Sequence, residues 1–183
     1  LGEVSKGVHP EPAGRSGLGW LIGEQETLDP AYGYFLATTY RMHPRLAERI
    51  SRLAYGGCLA AHEGAGSARS LAGIEPGVHV LPVPHRDNTV ESAEEAHAIA
   101  ARIHDLLGTQ WCDPDEPGGP RALRQSDIRV VAPYNAQVDR LRETLDAAGL
   151  REVPVGTVDR FQGQEAVIVF VSMAASARSD VSR

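Results

Sequence analysis

Two apolar runs separated by a short polar turn restrict the fold of this chain more than any other feature. The runs cover residues 153–158 and 166–171, and both are rich in β-branched residues. Because the second run is apolar at almost every position, it predicts a strand buried on both faces of a parallel sheet. Open α/β sheets bind ligands at the ends of parallel strands, so the turn is a candidate site. The alternative is an ordinary polar loop.

Strand and helix patterns alternate through the rest of the chain. Further strands are predicted at residues 34–39, 77–83 and 127–132, with a loop or short hairpin at residues 57–76 and an exposed loop at residues 110–125. Three amphipathic helices are predicted, one with Pro44 in its first turn, one capped by Ser92 and one capped by Asn135; they end at Gly56, Gly108 and Gly149. This order predicts an α/β fold, a mostly parallel sheet with helices on both faces.

Length and composition limit the possible functions. The 183 residues are expected to form one main domain at residues 31–175, after a Gly/Pro-rich extended connecting segment at residues 1–30 and before a truncated tail at residues 176–183. A net charge of −6 argues mildly against a surface devoted to nucleic-acid phosphates. The two cysteines have no metal-binding spacing, no metal ligands are predicted, and no apolar run has transmembrane length, so a cytoplasmic protein without membrane contact is expected.

Three short motifs carry the candidate chemistry. They are YRMHP at residues 40–44, APYNAQ at residues 132–137 and VGTVDRFQGQE at residues 155–165. Arg41 lies just before a helix start, where its planar guanidinium can point at a phosphate or pair with a surface carboxylate. Tyr40 and Met42 are core residues or ligand contacts, and His43 is typical of a structural histidine. The chain contains no GxxxxGK[ST] loop and no GxGxxG fingerprint, which argues against a Rossmann-type enzyme.

The three motifs in this order resemble superfamily 1 helicases, of the 5′→3′ branch that includes RNA-decay and replication helicases. The chain is similar to their second RecA-like motor domain, a member of the P-loop NTPase superfamily without its own P-loop. Residues 38–176 also resemble the helicase half of bacterial fusions with a RecB-like nuclease. The resemblance implies a helicase that hydrolyses ATP and translocates on single-stranded nucleic acid, with DNA favoured over RNA.

The resemblance also implies roles for individual residues. Arg41 would reach the γ-phosphate of ATP. Glu165 would accept hydrogen bonds from the ribose, and the nucleotide side would also include Gly163, Tyr40 and Gln162. The single strand would contact Pro133, Tyr134, Asn135, Thr157 and Val158. Gln162 is a candidate for coupling the two sides, because it lies between Thr157 and Glu165.

Two departures from the family pattern concern the ends of the active site. The phosphate-binding loop and the Asp-Glu pair are missing, so Mg²⁺ is expected to be bound mainly by a first RecA-like domain of the same parent chain. The final family motif, with its arginine finger, is also missing, and neither Arg178 nor Arg183 fits that role. This sequence alone is therefore not expected to be active. The alternative from another class is a non-catalytic RecA-like module that binds nucleic acid or protein.

Overall fold

The structure, a computed structural model, describes residues 16–25, 27–64, 66–177 and 179. The described residues form two compact units, one within residues 16–69 with 75–78 and one within residues 70–74 with 79–179. The predicted domain boundaries at residues 30 and 175 stay predictions. Arg178 and Arg183 lie outside the described residues, as do residues 1–15.

The first unit contains a small parallel sheet and two helices. Its elements are α1 (Gly17–Ile22), β1 (Thr38–Thr39), α2 (Pro44–Ala54) and β2 (Ala60–Ala61), with β1 paired in parallel to β2. Ser16 caps α1 by accepting a hydrogen bond from the Gly19 N–H at 2.9 Å, so the segment predicted as extended includes a short helix. Helix α2 begins at Pro44 as predicted.

The apolar face of α2 is predicted only in part by the spacing of its apolar residues, which are Leu46, Ile50, Leu53 and Ala54. Leu46 and Ile50 are half-buried and Ala47 and Ser51 are buried, whereas Leu53 is 81% exposed. Ser51 is buried because its Oγ accepts a hydrogen bond from the Leu59 N–H at 2.9 Å, where the chain leads into β2. A polar residue, Ser51, is thus buried at a position that the pattern of apolar residues in the sequence does not identify.

The second unit contains two sheets and two long helices. Its elements are β3 (Ser70–Leu71), α3 (Ala93–Leu106), β4 (Gln110–Cys112), β5 (Arg121–Ala122), β6 (Ile128–Val131), α4 (Asn135–Ala147), β7 (Val155–Gly156) and β8 (Ile168–Val171). Strands β3, β4 and β5 form an antiparallel sheet, while β6 lies between β7 and β8 in a parallel one. The predicted α/β fold with a parallel sheet is confirmed, and it is consistent with a RecA-like fold.

The core of this unit lies between the parallel sheet and the helices α3 and α4. Ile128 and Val130 of β6 are fully buried there with Ile103 of α3 and Leu141 of α4. The neighbouring residues of β6 face the other way, and on that face Val169 and Val171 of β8 are 51% and 63% exposed. The prediction that β8 is buried on both faces is therefore wrong, because only Ile168 and Phe170 pack against the core and the alternate residues of β8 point away from it.

Two further predictions are wrong. Residues 77–83 form no strand; Pro82 and Pro84 lack the N–H groups that a sheet requires, and Val80 is exposed. Residues 110–125 are not simply a loop, since they contain β4 and β5.

An ion-pair cluster fastens β5 to the start of β6. The Arg121 guanidinium donates to both carboxylate oxygens of Asp127, at 2.6 and 2.9 Å, and to Glu116 Oε1 at 2.6 Å. Burial raises the pKa of the Asp127 carboxyl, but the hydrogen bonds from Arg121 and the Arg124 N–H outweigh this effect and hold that pKa below its usual value. The Arg121 guanidinium is paired with the two carboxylates, so we interpret the role of the cluster as structural.

The substitution Leu141→Ala is expected to lower the free energy of unfolding by about 2–5 kcal/mol, because it leaves a cavity in the core. The matched control is Leu53→Ala, also on a helix but 81% exposed, which should change it by about 0.5 kcal/mol or less. Urea unfolding followed by circular dichroism measures both. Equal losses for the two variants would contradict the core described above.

Candidate functional site

Two of the three motifs leave neighbouring strands at the same edge of the parallel sheet. Val131 at the end of β6 pairs with Gly156 at the end of β7, and the Ala132 N–H donates to the Gly156 carbonyl at 3.1 Å. Both strands run in the same direction, so residues 133–135 and the turn that begins at Thr157 start side by side. The structure thus brings together residues that are more than 20 positions apart in the sequence.

The loop after β6 passes directly into α4. Pro133 and Asn135 are exposed, and Tyr134 is half-buried. The prediction that Asn135 caps the helix is wrong, because Asn135 is the first helical residue and Tyr134, with φ −120° and ψ 140°, is the cap. The Asn135 side chain is therefore not used as a helix cap.

The turn after β7 is a single 3₁₀ turn at Val158–Phe161. The Thr157 carbonyl accepts from the Arg160 N–H at 3.1 Å, while the Thr157 side chain makes no capping bond. Arg160 folds back, and its Nη1 donates to the Val155 carbonyl at 3.0 Å. Its guanidinium thus connects the turn to β7. Val158, in the same turn, is exposed and does not pack in the core.

The polar residues that follow continue this turn. Gln162 ends it, with its N–H donating to the Asp159 carbonyl at 3.3 Å, and lines a surface depression with Val131, Val158, Asp159 and Phe161. Gly163 has a φ of 81°, a conformation that glycine adopts without strain, and open space lies where a Cβ would be. The Gly163 backbone is therefore accessible to a ligand, and Glu165 is exposed two residues later.

The first motif lies in the first unit, at the start of α2. His43 is the helix cap, with its Nδ1 accepting from the Arg45 N–H at 3.2 Å, so the predicted structural role of His43 is confirmed. Arg41 is exposed, and its N–H donates to Thr39 Oγ1 at 3.3 Å. Tyr40 is 62% exposed, so its alternative as a core residue is wrong.

A buried glutamine, which sequence reasoning missed as a site residue, connects α4 to two other segments of the second unit. Gln137 is fully buried in the first turn of α4. Its Oε1 accepts from the Ser92 N–H at 2.6 Å, and its Nε2 donates to the Ser92 carbonyl at 3.1 Å and to Ser172 Oγ at 2.8 Å. The amide thereby fixes the helix that begins at the Tyr134 loop.

The network continues into the segment that follows β8. Glu95 accepts hydrogen bonds from the Ser172 hydroxyl and from the Ala174 N–H, and its other oxygen lies 3.2 Å from His85 Nε2. The partners of Gln137 are 35 and 45 residues away in the sequence, so a local sequence pattern does not identify them. The one available signal is that Gln137 is a polar residue on an otherwise apolar helix face. Among the described residues, no group of three or more His, Cys, Asp or Glu is arranged to hold a metal ion.

Comparisons with known proteins agree with the motifs. Residues 21–181 match the family described as AAA domain. The chain is 31% identical over 159 residues to DNA-binding protein SMUBP-2 from Rattus norvegicus, covering 78% of this chain and 15% of that protein. It is 28% identical over 157 residues to DNA polymerase alpha-associated DNA helicase A from Saccharomyces cerevisiae, covering 78% of this chain and 23% of that protein.

A shorter match has higher identity. The chain is 41% identical over 51 residues to RNA helicase Mov10l1 from Homo sapiens, covering 28% of this chain and 4% of that protein. The chain thus spans less than a quarter of the length of each of these three relatives. No helix in the described part of the chain is long and apolar enough to cross a membrane.

Replacing Gln137 by leucine should lower the free energy of unfolding by about 1–3 kcal/mol, because the buried Ser92 N–H loses its partner, whereas the Ser92 carbonyl keeps the Ala96 N–H. Gln110→Leu is the control, since Gln110 is exposed on β4 and its replacement should have an effect of about 0.5 kcal/mol or less. Urea unfolding measures the difference. A Gln137→Leu variant as stable as the control would refute the structural importance of the network.

Proposed function

Because the chain belongs to the AAA domain family and contains a superfamily 1 helicase-like domain, we propose that it is the second motor domain of an ATP-dependent helicase. The longer protein hydrolyses ATP and moves 5′→3′ on single-stranded nucleic acid. This domain contributes Arg41 and Glu165 to the ATP site, together with an edge that holds the strand. The proposed partner is a first RecA-like domain of the same protein; a fused RecB-like nuclease stays a prediction.

Arg41 is the proposed catalytic residue. During hydrolysis water attacks the γ-phosphorus, the bond to the bridging β,γ-oxygen breaks, and negative charge spreads over the equatorial oxygens. A guanidinium that contacts those oxygens stabilises this charge. The exposure of Arg41 at the start of α2 supports this role, because the side chain is not enclosed by its own unit.

Glu165, Gly163 and Tyr40 are the remaining proposed nucleotide contacts. The Glu165 carboxylate accepts hydrogen bonds from the ribose hydroxyls, and the Gly163 backbone approaches the nucleotide through the open space on its Cβ side. The exposed ring of Tyr40 offers a flat apolar surface to the base. Mg²⁺ neutralises phosphate charge when bound, and its ligands are expected on the first motor domain, since this chain has no phosphate-binding loop.

The single-strand edge is proposed to consist of Pro133, Tyr134, Asn135, Thr157 and Val158. A hydroxyl, an amide and exposed backbone N–H groups hold phosphates without distinguishing bases, as a translocating motor requires. The half-buried Tyr134 ring can stack on a base. DNA is favoured because two of the relatives, SMUBP-2 and DNA helicase A, carry DNA in their names, although backbone contacts of this kind do not test for a 2′-hydroxyl.

One observation supports this function above all others. The edge formed by β6 and β7 starts two candidate strand-binding segments side by side, and one of them continues within eight residues from Thr157 to Glu165. A conformational change at Thr157 can therefore be transmitted to Glu165 through a short stretch of backbone. This is the geometry that a motor needs to link nucleotide and strand.

In the full-length protein that contains this sequence, Arg41→Ala is expected to reduce the turnover number for ATP about 100-fold or more, because a charge-stabilising group is lost from the transition state. Binding of ATP, measured with a fluorescent analogue, should remain within about threefold. Arg49→Ala, a change to another exposed arginine at α2, is the control and should leave both quantities unchanged. Normal turnover by the Arg41 variant would remove it from the catalytic site.

Gln162→Ala is expected to reduce the stimulation of ATPase by single-stranded DNA about tenfold, while the affinity for that DNA is kept. The reason is its place in the turn, between Thr157 and Glu165. Gln164→Ala serves as the control, because the Gln164 amide bonds only locally, to the Arg160 carbonyl at 3.2 Å. Unchanged stimulation in Gln162→Ala would exclude the coupling role.

A further inference from the structure

An aromatic stack in the first unit fixes the side chain of Tyr40. The Tyr40 and His62 rings are stacked with their centroids 4.4 Å apart and their planes inclined by 25°. Each ring follows a strand of the same parallel pair, since Thr39 of β1 pairs with Ala61 of β2 and the His62 N–H donates to the Thr39 carbonyl at 2.9 Å. The sheet itself therefore sets the spacing of the two rings.

Two more residues after β2 contact the backbone next to Tyr40. Arg69 Nη1 donates to the Arg41 carbonyl at 3.2 Å. Gly66 has a φ of 71°, and a Cβ at this position would lie 2.9 Å from the Met42 carbonyl oxygen, so only glycine allows this close approach. His62, Gly66 and Arg69, named here the brace, thus contact three consecutive residues of the first motif.

The brace leaves Tyr40 accessible on one side. One ring face is occupied by His62, yet 62% of the Tyr40 residue surface is exposed. A ring that is held on one face and open on the other is a ready platform for a planar ligand, because its orientation is already fixed before binding. Stacked aromatic pairs contribute a measurable amount beyond the area that they bury.

We propose that His62 is a positioning residue that fixes the plane of Tyr40 for stacking against the base of a nucleoside triphosphate. The proposal rests on the proposed function, in which Tyr40 and Arg41 face ATP. His62 itself does not touch the nucleotide. Arg69 and Gly66 serve the same end by holding the backbone that presents the Tyr40 ring and the Arg41 guanidinium.

The test uses the full-length protein and its single-strand-stimulated ATPase. His62→Ala removes the stacked ring and is expected to raise the KM for ATP about 3- to 10-fold with little change in kcat, the effect of losing one aromatic contact. His62→Phe keeps a flat ring against Tyr40 and should restore the KM. Inorganic tripolyphosphate, which has no base, should inhibit the wild type and both variants with the same inhibition constant.

The control is His97→Ala, because the exposed His97 side chain contacts only its own helix, through its Nδ1 and the Ala93 carbonyl at 2.7 Å. Its KM and kcat should equal those of the wild type. If His62→Ala does not fold, as judged by circular dichroism, His62→Leu replaces it, since leucine keeps apolar volume but offers no planar ring.

The possible outcomes separate this inference from the proposed function. An unchanged KM in His62→Ala or His62→Leu, alongside a raised KM in Tyr40→Ala, overturns the positioning role of His62 and leaves the nucleotide site intact. A raised KM that His62→Phe does not restore, or weaker inhibition by tripolyphosphate, also overturns it, because the effect is then not one of base stacking. An unchanged KM in Tyr40→Ala instead refutes the proposed function at this residue.

Discussion

Parallel pairing of β6 with strands on both of its sides is the interaction on which the second unit depends. Ile128 and Val130 are fully buried because the sheet backbone is satisfied on both edges of β6 while α3 and α4 cover one face. Strands β7 and β8 are not neighbours, because each pairs with β6. Residues 157–167 return from the carboxyl end of β6, where Gly156 pairs with Val131, to its amino end, where Ile168 pairs with Ile128.

The candidate strand-binding segments follow from this pairing. Residues 133–135 and 157–158 are adjacent because β6 and β7 end together, and the Gln137 amide then fixes the helix that follows the first of them. Arg160 holds the turn to β7 through its hydrogen bond to the Val155 carbonyl, and the space next to the Gly163 Cα is empty. A firmly held strand edge with an exposed polar turn is the arrangement that a domain needs to contact a sugar-phosphate backbone on one side and a nucleotide on the other.

Local signals explain which parts of this structure could be predicted. Helix α3 was predictable because Ser92 caps it and its apolar residues recur at helical spacing, and β6 because its apolar run ends at Pro133. By contrast, β4 and β5 are short, with Pro and Gly residues between them, and their pairing depends on partners outside any local window. The exposure of β8 depends on which elements cover each face of the sheet, and the Tyr40–His62 stack depends on the register of two strands. The periodicity of apolar residues predicts neither of these features.

The central claim is that this domain is one half of an ATP-driven motor on single-stranded nucleic acid. ATPase activity of the full-length protein, measured with and without single-stranded DNA or RNA of equal length, tests it most directly. The claim predicts that single strands raise kcat at least about tenfold, with DNA as effective as RNA or more so. An ATPase rate that neither strand changes, or no hydrolysis although both strands bind, would contradict the motor and favour a non-catalytic binding module.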